Sequence, residues 1–474
     1  MIAAPSPHPA ATPPTWLVNG VRVRLATVVL TGLVVSPPAW PAAPVAVEGR
    51  AAPAAFAPFL SADTDLVLLP AARRPPARPV VVAATRVAAR ANEVATVFLT
   101  PALLRQALPA LVRAEVIATR PGPRPEGWPD RLLAWEVEVP LFNLKGKAWL
   151  QQRPDGAELT LVEGAFAPGN IRFRVAPAGN NSAAAAVLTT ELQLEVRSSN
   201  WIFRKVARHD PWAETAMTAA MGWVVTRAVG LRAEAPPGAA PARPRVPIQP
   251  PAATALDGTP LAGPALAALR GTGLLASVRR ATNGRLAWTS VATPVPTTGA
   301  ADSAAGRLAV PENWLVFPGW KSVKRRPAPA AGAGGRSALL IEVKDDVSLV
   351  DLDAVWAVEP GLPVRATVVD GETRGGVLAW QILSQGRSKD ESPGSTSADS
   401  ATGLAVLSMH PRLDAAGFIE RRLVAAEPLL EHALALALTY VDAAAMADDL
   451  AAHDRGATPR QTGQRQTPTP EQPK

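Results

Sequence analysis

Cysteine is absent from the 474 residues. That absence excludes disulfides, thiolate zinc sites and cysteine nucleophiles. It leaves the redox compartment open, because an exported protein can lack bridges. Histidine is scarce, with five copies, which argues against a histidine-rich metal centre and leaves no metal or cofactor expected. No apolar run in the sequence approaches the ~20 residues of a membrane-spanning helix. Charge of one sign is thin as well: 48 Lys and Arg against 40 Asp and Glu give +8, spread over the whole length. A nucleic-acid face needs basic residues gathered together, often with aromatics between them. The densest group, Lys321, Lys324, Arg325 and Arg326, reads as solvated surface, as do Arg73 and Arg74, so no nucleic-acid partner is expected. Also missing are a Gly-x-Ser-x-Gly elbow, a His-Glu-x-x-His pair and a phosphate-binding Walker loop.

What is present is apolar residues at 48%, enough for a sizeable core, with 50 prolines to punctuate it. At about 150 residues per domain the length suits two or three domains. Residues 1–46 read as an export signal and Pro-rich leader: Arg22 and Arg24, then an apolar run over 25–35, then small residues and prolines to 46. The alternatives are a buried strand, or a start assigned too far upstream, in which case the protein is cytoplasmic. The Pro- and Ala-rich stretch 235–269 reads as an extended linker. The tail 451–474 has no apolar face and reads as disordered. The glycines at 332–335 follow no strand and open no helix, so a hairpin connection is favoured over a phosphate loop.

The two stretches that remain, 78–234 and 270–450, repeat one another. TLVEG at 160–164 matches TVVDG at 367–371, and at the same offset Phe173 meets Trp380. IFRKVARHDP at 202–211 matches IERRLVAAEP at 419–428, placing Glu214 on Glu431 and Trp223 on Tyr440. Repeats of this length predict tandem domains rather than a solenoid. The long helices are expected to superpose with Pro211 on Pro428.

Each copy begins with an apolar strand, near 80–88 in the first and within 273–295 in the second. Short Pro-punctuated helices follow, then alternating strands. Leu133, Trp135, Val137 and Val139 share one face; Ile171, Phe173 and Val175 another; Leu188, Leu192, Leu194 and Val196 a third. Alternation with a polar opposite face predicts an antiparallel sheet covered on one side. The covering element is a last helix with a stripe of Met217, Met221, Val224, Ala228 and Leu231. The second copy carries Trp356 and Trp380 on strands and Leu434, Leu438, Val441 and Ala445 on its last helix.

This order of elements resembles the helix-grip fold of the START-like (SRPBCC) superfamily, nearest to its coenzyme Q-binding and polyketide cyclase-like branch. The resemblance is carried by Val310-Pro311-Glu312-Asn313-Trp314 and Phe317-Pro318-Gly319-Trp320 in the second copy. Thr100-Pro101-Ala102-Leu103-Leu104 and Ala107-Leu108-Pro109 hold those places in the first, without the Trp. It implies an α+β chain of two tandem helix-grip domains, each an antiparallel sheet wrapped around a long C-terminal helix.

Catalytic residues are not evident. The adjacent pairs His209-Asp210 and Glu431-His432 suit surface or capping roles, and Asp351 with Asp353, like Glu136 with Glu138, a solvated strand face. The expected function is non-catalytic binding or transport of an apolar ligand, such as a lipid, quinone or polyketide, with transient membrane contact compatible with that role. Its candidate cavity residues are Trp135, Val137, Val139, Phe173, Leu192, Met217 and Met221 in the first copy, and Trp356, Trp380, Leu434 and Leu438 in the second. The bland alternative for all of them is a closed core. Two other functions stand open: a regulatory module with packed cores, and a cyclase or aromatase-type enzyme.

Overall fold

The structure is a computed structural model. It describes residues 52–454 except 71–77, 123–127, 140–141, 180–183, 200–202, 206, 208–209, 243–249, 272, 297–305, 308, 319, 327–338, 348–349, 360–362, 385–401 and 417. The chain divides into the units Met1–Ala46 and Val47–Lys474, and every described residue belongs to the second. The leader and most of the tail therefore lie outside the described residues, as do the glycines at 332–335.

Sixteen antiparallel strands form one sheet. In chain order they are β1 (Thr64–Leu69), β2 (Val80–Val87), β3 (Leu111–Arg120), β4 (Asp130–Val139), β5 (Phe142–Arg153), β6 (Gly156–Gly164), β7 (Phe166–Pro177) and β8 (Ala186–Glu195). Then come β9 (Leu274–Arg280), β10 (Leu286–Pro296), β11 (Trp320–Arg326), β12 (Leu339–Val347), β13 (Val350–Glu359), β14 (Val364–Gly371), β15 (Val377–Ser384) and β16 (Thr402–His410). Across the sheet the order is β11-β12-β13-β14-β15-β16-β10-β9-β1-β2-β8-β7-β6-β5-β4-β3. The two flanks follow one rule: β2 and β10 each pair with the last strand of their flank, and the rest unwind outward as a meander. The matched runs at 160–164 and 367–371 end β6 and β14, corresponding strands in that order.

The expectation of two separate sheets needs correcting. β1 and β9 pair along six residues, from Thr64 opposite Arg279 to Leu69 opposite Leu274, and fuse the flanks into one sheet. β1, which precedes the first expected strand, is TDLVLL, and all but its first residue are buried. Its lack of alternation follows from burial on both faces.

The second correction concerns the outer face. The sheet's middle is covered on both sides. On one lie the helices α4 (Ala213–Glu234) and α7 (Leu429–Asp454), packed on each other as well as on β2 and β10. On the other, Phe56 and Leu60 join Leu261, Leu266 and Leu269 in a core with Leu66, Leu68, Val82, Leu275 and Val406. The stretch expected as a spacer is thus packed in its second half: Leu256 is buried, and the Gly258 amide donates to Gln381 Oε1 at 2.9 Å. Towards the β3 end the outer face is polar as expected, with Arg153 paired to Glu158 and Arg174 near Asp155 and Glu191.

The helices present other faces than the expected stripes. On α4, Ala219, Gly222, Trp223, Thr226 and Gly230 are buried, as is Ala228 of the expected stripe, whereas Met217, Met221, Val224 and Leu231 are half-buried. Small residues bring the axis close to the sheet: a Cβ on Gly222 would stand 3.2 Å from Leu192 Cδ1. On α7, Ala435, Leu436, Thr439 and Tyr440 are buried, and Leu434 and Leu438 only half-buried. Both helices are rich in Ala and apolar on most sides, so sequence spacing marks no single stripe. By length and composition α7 could cross a membrane, but 72% of that stretch is buried inside the protein, as in a core helix.

Candidate functional site

The seam between the flanks carries a buried polar network. Asp65 on β1 accepts from Thr85 Oγ1 at 2.6 Å, from Trp223 Nε1 at 3.0 Å and from Arg280 Nη2 at 3.2 Å. The Trp223 ring stacks on His432 of α7, with centroids 4.8 Å apart. One residue away, Glu431 holds Arg285 through two bonds of 2.7 Å, with both side chains buried. Glu431 and His432 are therefore core groups rather than surface ones, which corrects the sequence expectation. Asp210 accepts from the Trp212 amide at 2.8 Å in the turn before α4. Among the described residues no group of three His, Asp or Glu could hold a metal ion.

Burial dominates the ionisation of this region. It holds the His432 imidazole down at about 3, with Arg280, Arg285 and Arg227 adding to the effect. It pushes the Asp210 carboxyl up to about 6, against the Trp212 amide. The unfolded chain takes up a proton on His432 near its usual 6.5 while the fold resists it, so this group removes stability as pH falls from 6.5 towards 3. Asp210 has the opposite sign: the fold keeps a proton that the unfolded chain releases, so stability rises as pH falls from about 6 towards the usual carboxylate range. His432→Leu isolates the first effect. Its stability relative to the parent should improve steadily from about pH 7 to about pH 5 in urea unfolding, and a pH-independent difference would contradict this assignment.

The first flank holds the clearer candidate site. Its inward-facing rows follow from register: Leu133, Trp135 and Val137 sit opposite Ala148, Gly146 and Leu144, and the row continues through Leu161, Ile171, Phe173 and Leu192. Two buried cores close its ends. One joins Phe98, Leu104 and Leu111 to Phe173 and Val229, with Phe98 stacked on Phe173 at 5.1 Å. Phe98 and Leu104 come from the short helices α2 (Ala91–Leu99) and α3 (Pro101–Ala107). The other joins Leu144, Leu161, Phe166, Leu192 and Leu194, with Met217 and Met221 of α4 packed against it. Trp135, Val137, Leu159 and Ile171 touch both cores and are buried by neither.

The expected first-flank residues thus come together: Trp135, Val137, Met217 and Met221 are half-buried around this junction, and Phe173 and Leu192 form its floor. The side chain of Val139 lies outside the described residues. Two buried donors here have no hydrogen-bond partner among the described residues, Trp135 Nε1 and Thr190 Oγ1. The Trp135 ring lies over Gly146, where a Cβ would come within 2.8 Å of it. In the inward rows of β4 to β8 no described residue is a histidine or a carboxylate. Arg131, at the rim, donates to the Leu99 carbonyl at 2.9 Å.

The described part of the second flank packs around an aromatic cluster. Trp380 is fully buried and stacks on Phe317 at 6.3 Å; Phe317 meets Trp320 edge-on at 5.1 Å, and Trp314 joins them. Ile341, Val343, Val364, Ala366 and Leu378 are all buried in the same core as this cluster. Trp356 is half-buried, 6.1 Å from Trp320. Leu434 and Leu438 lie on α7 outside the buried core to which that helix contributes, so the structure does not gather them with Trp380. The side chains of Asp351 and Asp353 lie outside the described residues. Sequence reasoning missed Asp65 and its partners; a lone carboxylate in the apolar run TDLVLL was the available signal.

No family model matches the sequence, and no curated protein matches it. Among solved structures the chain is similar to START superfamily proteins and di-domain ARO/CYC proteins. A protein of Thermus thermophilus aligns at 16% identity over 33% of this chain and 97% of its own, with a TM-score of 0.25. The di-domain ARO/CYC StfQ from the steffimycin biosynthetic pathway aligns at 13% identity over 79% of this chain and 99% of its own, with a TM-score of 0.23. A START superfamily protein from Mycobacterium smegmatis aligns at 19% identity over 27% of this chain and 86% of its own, with a TM-score of 0.22.

Proposed function

We propose that the protein binds an apolar small molecule, without catalysis, in the first flank between β4–β7 and α4, and that the second flank is a packed scaffold of the same helix-grip plan. One contrast carries this. Trp135, Val137, Leu159 and Ile171 face inward yet stay half-buried at one junction, whereas Ile341, Val343, Ala366 and Leu378, on the corresponding strands β12, β14 and β15, are buried, and the half-buried Leu339, Trp356 and Ile382 there pack on the same core. Inward apolar surface that the fold leaves only partly covered favours a hydrocarbon guest. Met217 and Met221 adapt to irregular shapes. The donors Trp135 Nε1 and Thr190 Oγ1 suit one or two ligand oxygens, and buried donors gain most from such pairing. A cyclase role has less support, since no described histidine or carboxylate occupies the inward rows of β4–β8, and Arg131 at their rim donates to the Leu99 carbonyl. Export of the chain remains part of this proposal, on the sequence order at 22–46.

Met221→Trp tests it. Filling an open space should leave the melting temperature nearly unchanged and abolish uptake of a neutral fluorescent probe, N-phenyl-1-naphthylamine. In a closed core the same change should overpack and cost about 1–3 kcal/mol. A destabilised variant of a parent that takes up no probe would overturn the proposal.

A further inference from the structure

The turn that leads from β6 into β7 has a counterpart between β14 and β15. Both use Gly at the strand end with positive φ, 88° at Gly164 and 90° at Gly371. Both put the residue two further on in the left-handed region, Phe166 at φ 64° and Thr373 at φ 60°. Both place a glycine three residues later where a Cβ would crowd that residue's carbonyl, Gly169 beneath Phe166 and Gly376 beneath Thr373. The turn thus imposes the left-handed backbone whichever side chain is present. Gly or Asn meets that demand at least cost, and a bulky residue there is an outlier held by its surroundings. What Phe166 adds is its ring.

That ring points into the candidate site. Phe166 is buried although its neighbours Glu163 and Gly164 are exposed at the rim of the sheet. It meets Phe203, in the segment before α4, edge-on with centroids 5.9 Å apart. It belongs to the same core as Leu144, Leu161 and Leu192, against which Met217, Met221 and Trp135 are half-buried. Thr373 offers no comparable ring to the second flank.

We propose that Phe166 is the gate of the binding space: seated on Phe203 its ring closes the end of the space near the start of α4, and swung outward about its own Cα–Cβ bond, on a backbone held by the turn, it admits the ligand. This rests on the apolar-binding function proposed above. A gate governs rates more than affinity, because it opens the path without being the main contact.

Phe166→Asn keeps a residue tolerant of the left-handed backbone and removes the ring. Phe203→Ala removes the ring's seat from the other side. Stopped-flow exchange of N-phenyl-1-naphthylamine should quicken by about tenfold or more in both directions in each variant, with little change in Kd. Uptake by the variants alone, with none by the parent, would also support a gate, one closed at rest. Unchanged rates in variants that bind as the parent does would overturn the gate and leave the binding site standing. A lower melting temperature and weaker binding without faster exchange would make Phe166 a packing residue and overturn it too. If parent and variants all fail to take up probe, the gate and the binding function fall together.

Discussion

Asp65→Ala is expected to cost about 3–5 kcal/mol, the range for breaking a buried ion pair from one side. The reason lies in how many elements converge on this carboxylate. Thr85 from β2, Trp223 from α4 and Arg280 from β9 all donate to it, and Trp223 in turn supports His432 on α7. Alanine removes the acceptor that these three donors share, and one of them is a buried guanidinium. Since the pairing of β1 with β9 joins the flanks, the loss should be felt by both at once. Urea unfolding followed by tryptophan fluorescence should show a single transition at lower denaturant. Asp65→Asn, which keeps an acceptor oxygen, should lose less. A cost under about 1 kcal/mol, the net worth of an ordinary hydrogen bond, would show that the seam does not depend on this network.

Trp380→Ala is expected to cost about 3–5 kcal/mol, as large-to-small changes of buried aromatics do. Trp380 is fully buried against Phe317, and Phe317 is held by Trp314 and Trp320, so little can move in to fill the hole. The matched position in the first flank is Phe173, stacked on Phe98 in a core against which Trp135 and Ile171 are half-buried. Trp380→Ala should therefore lower stability in thermal unfolding and leave uptake of an apolar probe by the first flank intact. A stable Trp380→Ala protein would mean that the second flank, too, encloses open space.

These two residues also show what was legible beforehand. Trp380 was visible as an inward strand residue because alternation marks a sheet with one polar face, as it does for Leu133, Trp135 and Val137. The matched runs at 160–164 and 367–371 pointed to equivalent strands because their residues repeat at one offset. Asp65 and Arg280 were not visible as partners. They are 215 residues apart, and long-range pairing leaves no local spacing to read. β1 was missed because a strand buried on both faces does not alternate. Leu256, Leu261, Leu266 and Leu269 were hidden by the prolines around them, although they pack on the sheet. Met217 and Met221 lie on the flank of α4 rather than its sheet-facing side, because Ala, Gly and Thr carry the close contact. Leu434 and Leu438 lie outside the buried core for a related reason, as α7 is apolar on nearly every side.

The central claim is that one flank is open and the other closed. A titration of the parent, Met221→Trp and Trp380→Ala with N-phenyl-1-naphthylamine, read as moles of probe bound per chain, tests it most directly. The account predicts one molecule on the parent, none on Met221→Trp and one on Trp380→Ala. Two molecules on the parent, or a single one lost in Trp380→Ala and kept in Met221→Trp, would contradict it.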